Sequence, residues 1–280
     1  MENFLLSLIT GIFIGGAAGY LGTLMLSKRM VLVAGPLGHL TLPGIALALI
    51  YSFDISLGAF PFVILGIILI WLFEMRTKLP MEVLTAIVFA SGVAIAFLFL
   101  PIEQAEVALV GDISKVGFWD TISVIILCLF LLFLIKKIYP KITLINISED
   151  LAKSEGIKVK KYNLFYLGTI AIIVALGVKV VGGLLTTALV AIPAATSRNL
   201  SKNLFQFSFL GMLFGILSSL FGIFLFRVIG FPAGPLIILV ATFFFLVLAK
   251  NIAKTEVSID FPTPPFPLAI TNFFIEFKTF

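Results

Sequence analysis

The stretch Gly38-His39-Leu40-Thr41-Leu42-Pro43-Gly44 holds the only histidine of this 280-residue chain. An imidazole can bind a transition-metal cation, or it can hydrogen-bond to a neighbouring helix. One turn later Pro43 and Gly44 interrupt regular helix, and they are the candidate hinge or unwound stretch of a pathway. Pro193 is a second helix-breaking residue, for which a pathway hinge and a packed kink both remain open. One imidazole does not make a metal centre, since zinc takes about four ligands and manganese prefers oxygen donors. The missing ligands would come from a second copy of the chain or from carboxylates elsewhere: Glu82, Asp54 and Asp112 are the candidates. Cys128 is the only cysteine, lies in an apolar run and reads as a small core residue. The clustered acids, nucleophiles or paired histidines that an intramembrane enzyme needs are missing from the apolar runs.

What must position these residues is a set of membrane helices. The chain is 61% hydrophobic and 12% charged, with a mean hydropathy of +1.21, more apolar surface than a soluble domain can cover. About nine hydrophobic segments approach bilayer length, near 4–26, 30–51, 57–73, 82–100, 118–138, 162–180, 183–198, 205–228 and 232–249. The first reads as a retained span rather than a signal peptide. Segment 183–198 is short and dips or lies partly buried if the count is eight. The expected fold is therefore all-α, a polytopic membrane bundle of about eight to nine transmembrane helices.

With the N-terminus outside, Lys28, Arg29, Arg76, Lys136, Lys137 and the lysines of 141–161 all fall on the cytoplasmic side, as does the C-terminus. The net charge of +5 thus reports topology and not a nucleic-acid partner. The membrane domain spans 1–254, and the tail 255–280, with Pro262, Pro264, Pro265 and Pro267, is expected to be irregular or disordered. The loop at about 139–161 is the longest polar connection. In it Ser148 reads as an N-cap, Glu149 and Asp150 as an acidic first turn and Gly156 as a C-terminal stop. Glu103, Glu106, Asp112 and Asp120 suggest a mildly acidic outer mouth, or an ordinary solvated loop. Gly11, Gly15 and Gly19 have the small-residue spacing that lets helices approach closely.

Three stretches in this order resemble one family: Arg29 to Ala46 around Gly-His-Leu-Thr-Leu-Pro-Gly, Glu149 to Val159, and Val181 to Arg198 with its Gly-Gly-Leu-Leu-Thr-Thr opening. Phe231-Pro232-Ala233-Gly234-Pro235 adds a fourth piece. Together they are similar to the permease subunits of ABC transporters that import zinc, manganese or iron. The resemblance implies a homodimeric or pseudo-dimeric helical pore in the inner membrane of a prokaryote. An external or periplasmic metal-binding protein would feed it, and two cytoplasmic ATPase subunits would drive it. It implies no intrinsic cofactor: the metal is cargo, and ATP is bound by the partners, since this chain has no Gly-x-x-x-x-Gly-Lys-Ser/Thr loop. It assigns ATPase coupling to Glu149, Asp150, Leu151, Ala152 and Gly156, with Arg198 on the same surface or acting as a basic anchor. The family places an aspartate four residues before the histidine, where this chain has Gly35, and a serine where it has Gly38. The alternative cargo is a metal chelate or organic cofactor such as a siderophore or cobalamin, and a secondary transporter is the reading from outside the ABC class.

Overall fold

The computed structural model describes residues 2–28, 30–51, 53, 55–77, 79–99, 113, 116–182 and 186–256. All regular structure among them is helical. Helix α1 (Glu2–Ser27) is followed by a 3-10 turn (Val31–Val33) and two short helices, α2 (Ala34–His39) and α3 (Leu42–Ile50). Then come α4 (Ile55–Arg76), α5 (Met81–Phe99), α6 (Phe118–Ile147), the short α7 (Glu149–Ser154) and α8 (Val159–Val181). The chain closes with α9 (Thr186–Leu200), α10 (Leu204–Ile229) and α11 (Ala233–Glu256).

Among the described residues, five helices are long and apolar enough to cross a membrane: Phe4–Ser27, Leu57–Arg76, Phe118–Ile147, Val159–Val178 and Leu204–Ile229. Glu82–Leu98 and Ala233–Ala249 are shorter apolar helices. The expected continuous span over 30–51 is replaced by three short pieces, and the expected span over 183–198 is the short α9. Helix α11 continues to Glu256, and the rest of the expected irregular tail, 257–280, lies outside the described residues. The segments over Val159–Val178 and Phe4–Ser27 are 67% and 56% buried, against 28% for Phe118–Ile147. So α1 and α8 form the interior, while α4, α6 and α10 turn large side chains such as Leu65, Phe133 and Phe224 outward. In lipid that exposure costs nothing, because the surroundings are as apolar as the side chains.

Association of such helices therefore rests on close packing. Helix α1 crosses α10 with glycines on both sides. A Cβ at Gly15 would lie 2.5 Å from the carbonyl oxygen of Gly215, and one at Gly19 would overlap the carbonyl of Gly211. Around this crossing Ser7 Oγ donates to the Ile113 carbonyl at 2.9 Å, and the Thr10 and Thr121 hydroxyls meet at 3.0 Å. Pro61, Pro140 and Pro193 lie inside α4, α6 and α9, which run through them as helix. At Pro193 the structure thus has a packed, buried residue and no unwound stretch.

The substitution Gly19→Val is expected to lower the stability of the purified protein by about 1–3 kcal/mol, the usual cost of overpacking a close contact. A fall in thermal midpoint in detergent, absent for Leu65→Val on the outer face, is the readout.

Candidate translocation site and end-of-bundle helix

Pro43 has no N–H to close on the carbonyl of His39, four residues back. Helix α2 accordingly ends at His39, and Pro43 falls in the first turn of α3, where a proline is tolerated. Between the two helices the chain does not unwind. It makes one tight turn in which Thr41 N–H donates to Gly38 O at 3.3 Å and the Thr41 hydroxyl donates to the same carbonyl at 2.6 Å. Leu40 fixes this turn in place, its two methyl groups lying 2.6 Å from where a Cβ would stand at Gly66 of α4 and at Gly92 of α5. Gly44 faces Gly58 of α4 so closely that a Cβ at Gly58 would overlap the Gly44 carbonyl. The break at 40–41 is therefore a wedge held by α4 and α5.

The His39 imidazole is half-buried and lies against Phe89 of α5, ring centroids 5.3 Å apart at 47°. Glu82 is exposed in the first turn of α5, two turns and about 10 Å along the axis from Phe89. The structure does not bring it to the imidazole. Asp54 and Asp112 lie outside the described residues. Among the described residues there is no group of three or more histidine, cysteine or acidic side chains. Cys128 is buried within α6. Of the expected acidic mouth, only Asp120 is described; its carboxylate accepts the Gly117 N–H at 2.9 Å and caps α6.

Gly35 stands one turn before His39 on α2. A Cβ there would lie 2.8 Å from the Thr187 hydroxyl oxygen at the start of α9. The space a larger residue would need is thus filled by a neutral hydroxyl. Nothing local to Gly35 signals this, because Thr187 is far away in sequence.

Farther along the chain, α7 is defined by its caps. Leu151 N–H donates to Ser148 Oγ at 3.2 Å. The helix closes with Ile157 N–H on the Ala152 carbonyl at 2.9 Å and Gly156 N–H on the Lys153 carbonyl at 3.0 Å. These paired bonds need a left-handed residue, and Gly156 supplies it with φ 74°. Ala152 is fully buried, so α7 is anchored against the bundle. Leu151 is 47% exposed and Ile147 74%, leaving an apolar tip beside Glu149 and Asp150. Lys153 pairs with both acids at 3.3 and 3.6 Å on the exposed face. Arg198, in the last turn of α9, is exposed and lies over the Phe207 ring.

Beside α7 the ends of α1, α4 and α8 share a polar network that the sequence reading did not identify. Lys28 Nζ donates to Asn163 Oδ1 at 2.7 Å, and Asn163 Nδ2 donates to Glu74 Oε1 at 3.0 Å. The signal for it is Glu74 itself, an acid near the end of the apolar run Ile-Leu-Ile-Trp-Leu-Phe.

Residues 1–251 match the model of the ABC 3 transport family. The chain is 27% identical over 248 residues to the manganese import system permease protein ScaB of Streptococcus parasanguinis, covering 86% of this chain and 88% of that one. It is 25% identical over 266 residues to the high-affinity zinc uptake system membrane protein ZnuB of Buchnera aphidicola, covering 90% and 98%. Among solved structures, PsaBC from Streptococcus pneumoniae in complex with a Fab aligns with a TM-score of 0.76 at 26% identity, over 89% of this chain and 91% of that one.

Gly35→Asp alone is expected to weaken the fold, because the new carboxylate must displace Thr187; Gly35→Asp with Thr187→Gly is expected to recover stability. The thermal midpoints of the single and double variants in detergent check this, with a recovery of about 1 kcal/mol or more as the expected coupling.

Proposed function

The chain belongs to the ABC 3 transport family, and from that membership we propose that it is the membrane permease of an importer for a divalent metal cation, zinc or manganese, with iron in the same class. The observation that carries this reading is the match to the family over residues 1–251, joined by similarity over most of both chains to permeases named for manganese and for zinc. The protein works as a homodimer in the inner membrane of a prokaryote, its N-terminus outside and its C-terminus in the cytoplasm. An external binding protein delivers the cation, and ATPase subunits bind ATP and drive the cycle.

His39 is the cation-handling residue of this pathway. Its imidazole is half-buried at the end of α2, and Pro43 withholds the N–H that would otherwise occupy its carbonyl. An imidazole suits a borderline cation such as zinc. A second copy of the chain, or carboxylates such as Asp54 and Asp112, complete the ligand set, since the described residues of one copy hold no metal-binding group of three. The apolar tip of α7 meets the ATPase: Leu151 and Ile147 supply contact area and Glu149 and Asp150 the charge.

Liposomes holding the permease and its cognate ATPase are expected to accumulate zinc or manganese in an ATP-dependent, saturable manner. His39→Ala is expected to reduce the rate about tenfold or more. Uptake unchanged by the substitution would make His39 a packing residue. Intact ATP hydrolysis without uptake of any free cation, but with uptake of a chelate, would replace the cargo.

A further inference from the structure

We propose that Lys28, Asn163 and Glu74 form a latch that carries movement of α7 into the membrane core, with the Lys28 ammonium as its moving part. This rests on the reading of α7 as the ATPase contact. Three helices meet in the latch. Lys28 follows the last residue of α1, Glu74 lies in the last turn of α4 and Asn163 in the first turns of α8. The ammonium touches α8 twice, through Asn163 at 2.7 Å and through the ring of Tyr166, 4.7 Å from its centroid. It reaches α4 only through the Asn163 amide, which hands the contact on to Glu74.

Three features mark this arrangement as one of two. First, it is unsaturated: Glu74 Oε2, Trp71 Nε1 and the Tyr166 hydroxyl are buried without a hydrogen-bond partner. An orphaned acceptor and two orphaned groups able to donate, on facing stretches of α4 and α8, gain bonds if these helices shift. Second, the ammonium feels the charge of a second carboxylate. Glu149 opens α7, and its charge acts on Lys28 together with that of Glu74, opposing the burial that pulls the lysine down to about 8. In this structure Glu149 is held instead by Lys153, on the exposed face of α7. Third, α1 is the interior helix that runs against α10, α9, α6 and α8, so a displacement at its Lys28 end is felt by most of the bundle. When α7 moves, Glu149 changes its distance to the ammonium. Lys28 is then shared differently between Glu149 and the Asn163–Glu74 pair, and the end of α1 is pulled or released.

The test uses permease and ATPase reconstituted together, and reads ATP hydrolysis and cation uptake in the same vesicles. Glu74→Gln keeps the size and an amide oxygen for Asn163, so it preserves the fold while removing the charge. Lys28→Met removes the moving part, and Lys28→Arg restores it. The expected result is hydrolysis still stimulated by the permease, with cations moved per ATP reduced about tenfold in Lys28→Met and Glu74→Gln and largely recovered in Lys28→Arg. A transport ratio within about twofold of wild type in both charge-removing variants would overturn the latch. So would a loss that tracks a fall in thermal midpoint and is not rescued by arginine, since that describes packing alone. Leu151→Glu separates this from the underlying reading: it is expected to abolish stimulation altogether, and stimulation that persists would remove α7 from the ATPase contact. If wild type moves no free cation, the same ratio is read with a metal chelate as cargo, and a ratio within about twofold of wild type in both charge-removing variants again overturns the latch.

Discussion

The closest constraint in the molecule is the contact of backbone with backbone where α1 crosses α10. Lipid offers helices no reason to hide apolar side chains from it, so a bundle in a membrane holds together only where atoms fit. Gly15 and Gly19 place the chain of α1 against carbonyls of Gly215 and Gly211, with the Ser219 hydroxyl also packed on Gly15. From that fixed crossing, α1 meets α9 and α6, and through α8 the position of α7 is set. The same device recurs on a smaller scale where Gly44 meets Gly58, and there it seats the short helix that follows His39.

Among the described residues, the ring contact of His39 and the close contacts of Gly35 are uncharged. The neighbours of His39 are Phe89 and, one turn away along α2, the hydroxyl of Thr187 against Gly35. A carboxylate at position 35 would have an energetic cost of desolvation as well as a steric one, unless a cation were present to offset it. Thr187 removes both costs by closing the space with a neutral group. Among the described residues, His39 is thus left without a carboxylate partner one turn before it.

Local chemistry was legible in the sequence, and long-range pairing was not. Ser148 as N-cap and Gly156 as the stop of α7 follow from residue types a few positions apart, and the structure has both. The glycine spacing on α1 announced a close crossing, though not its partner. Length and apolarity marked the long helices, but they misread 30–51 as one span, because hydropathy does not register the turn at Leu40-Thr41 that Gly66 and Gly92 accommodate. Pro43 was a correct signal of interruption, placed a few residues late because a proline begins a helix as readily as it ends one. Lys28 looked like any basic residue at a membrane boundary. Its role depends on Glu74 and Asn163, and nothing at position 28 names them.

The length of α6 has a mechanical consequence. Its thirty residues make a rod of about 45 Å, against a hydrocarbon layer of about 30 Å. The portion beyond Lys136 and Lys137 exceeds that layer; it packs on the bundle through Ile138, Tyr139, Ile142 and Ile145 and carries α7 at its far end. A tilt of about 10° at the buried end of such a rod swings the far end by about 8 Å, more than one helical turn. A protein engaging that tip works with a long lever arm above the headgroups, so a modest push there delivers a large torque to the helices inside.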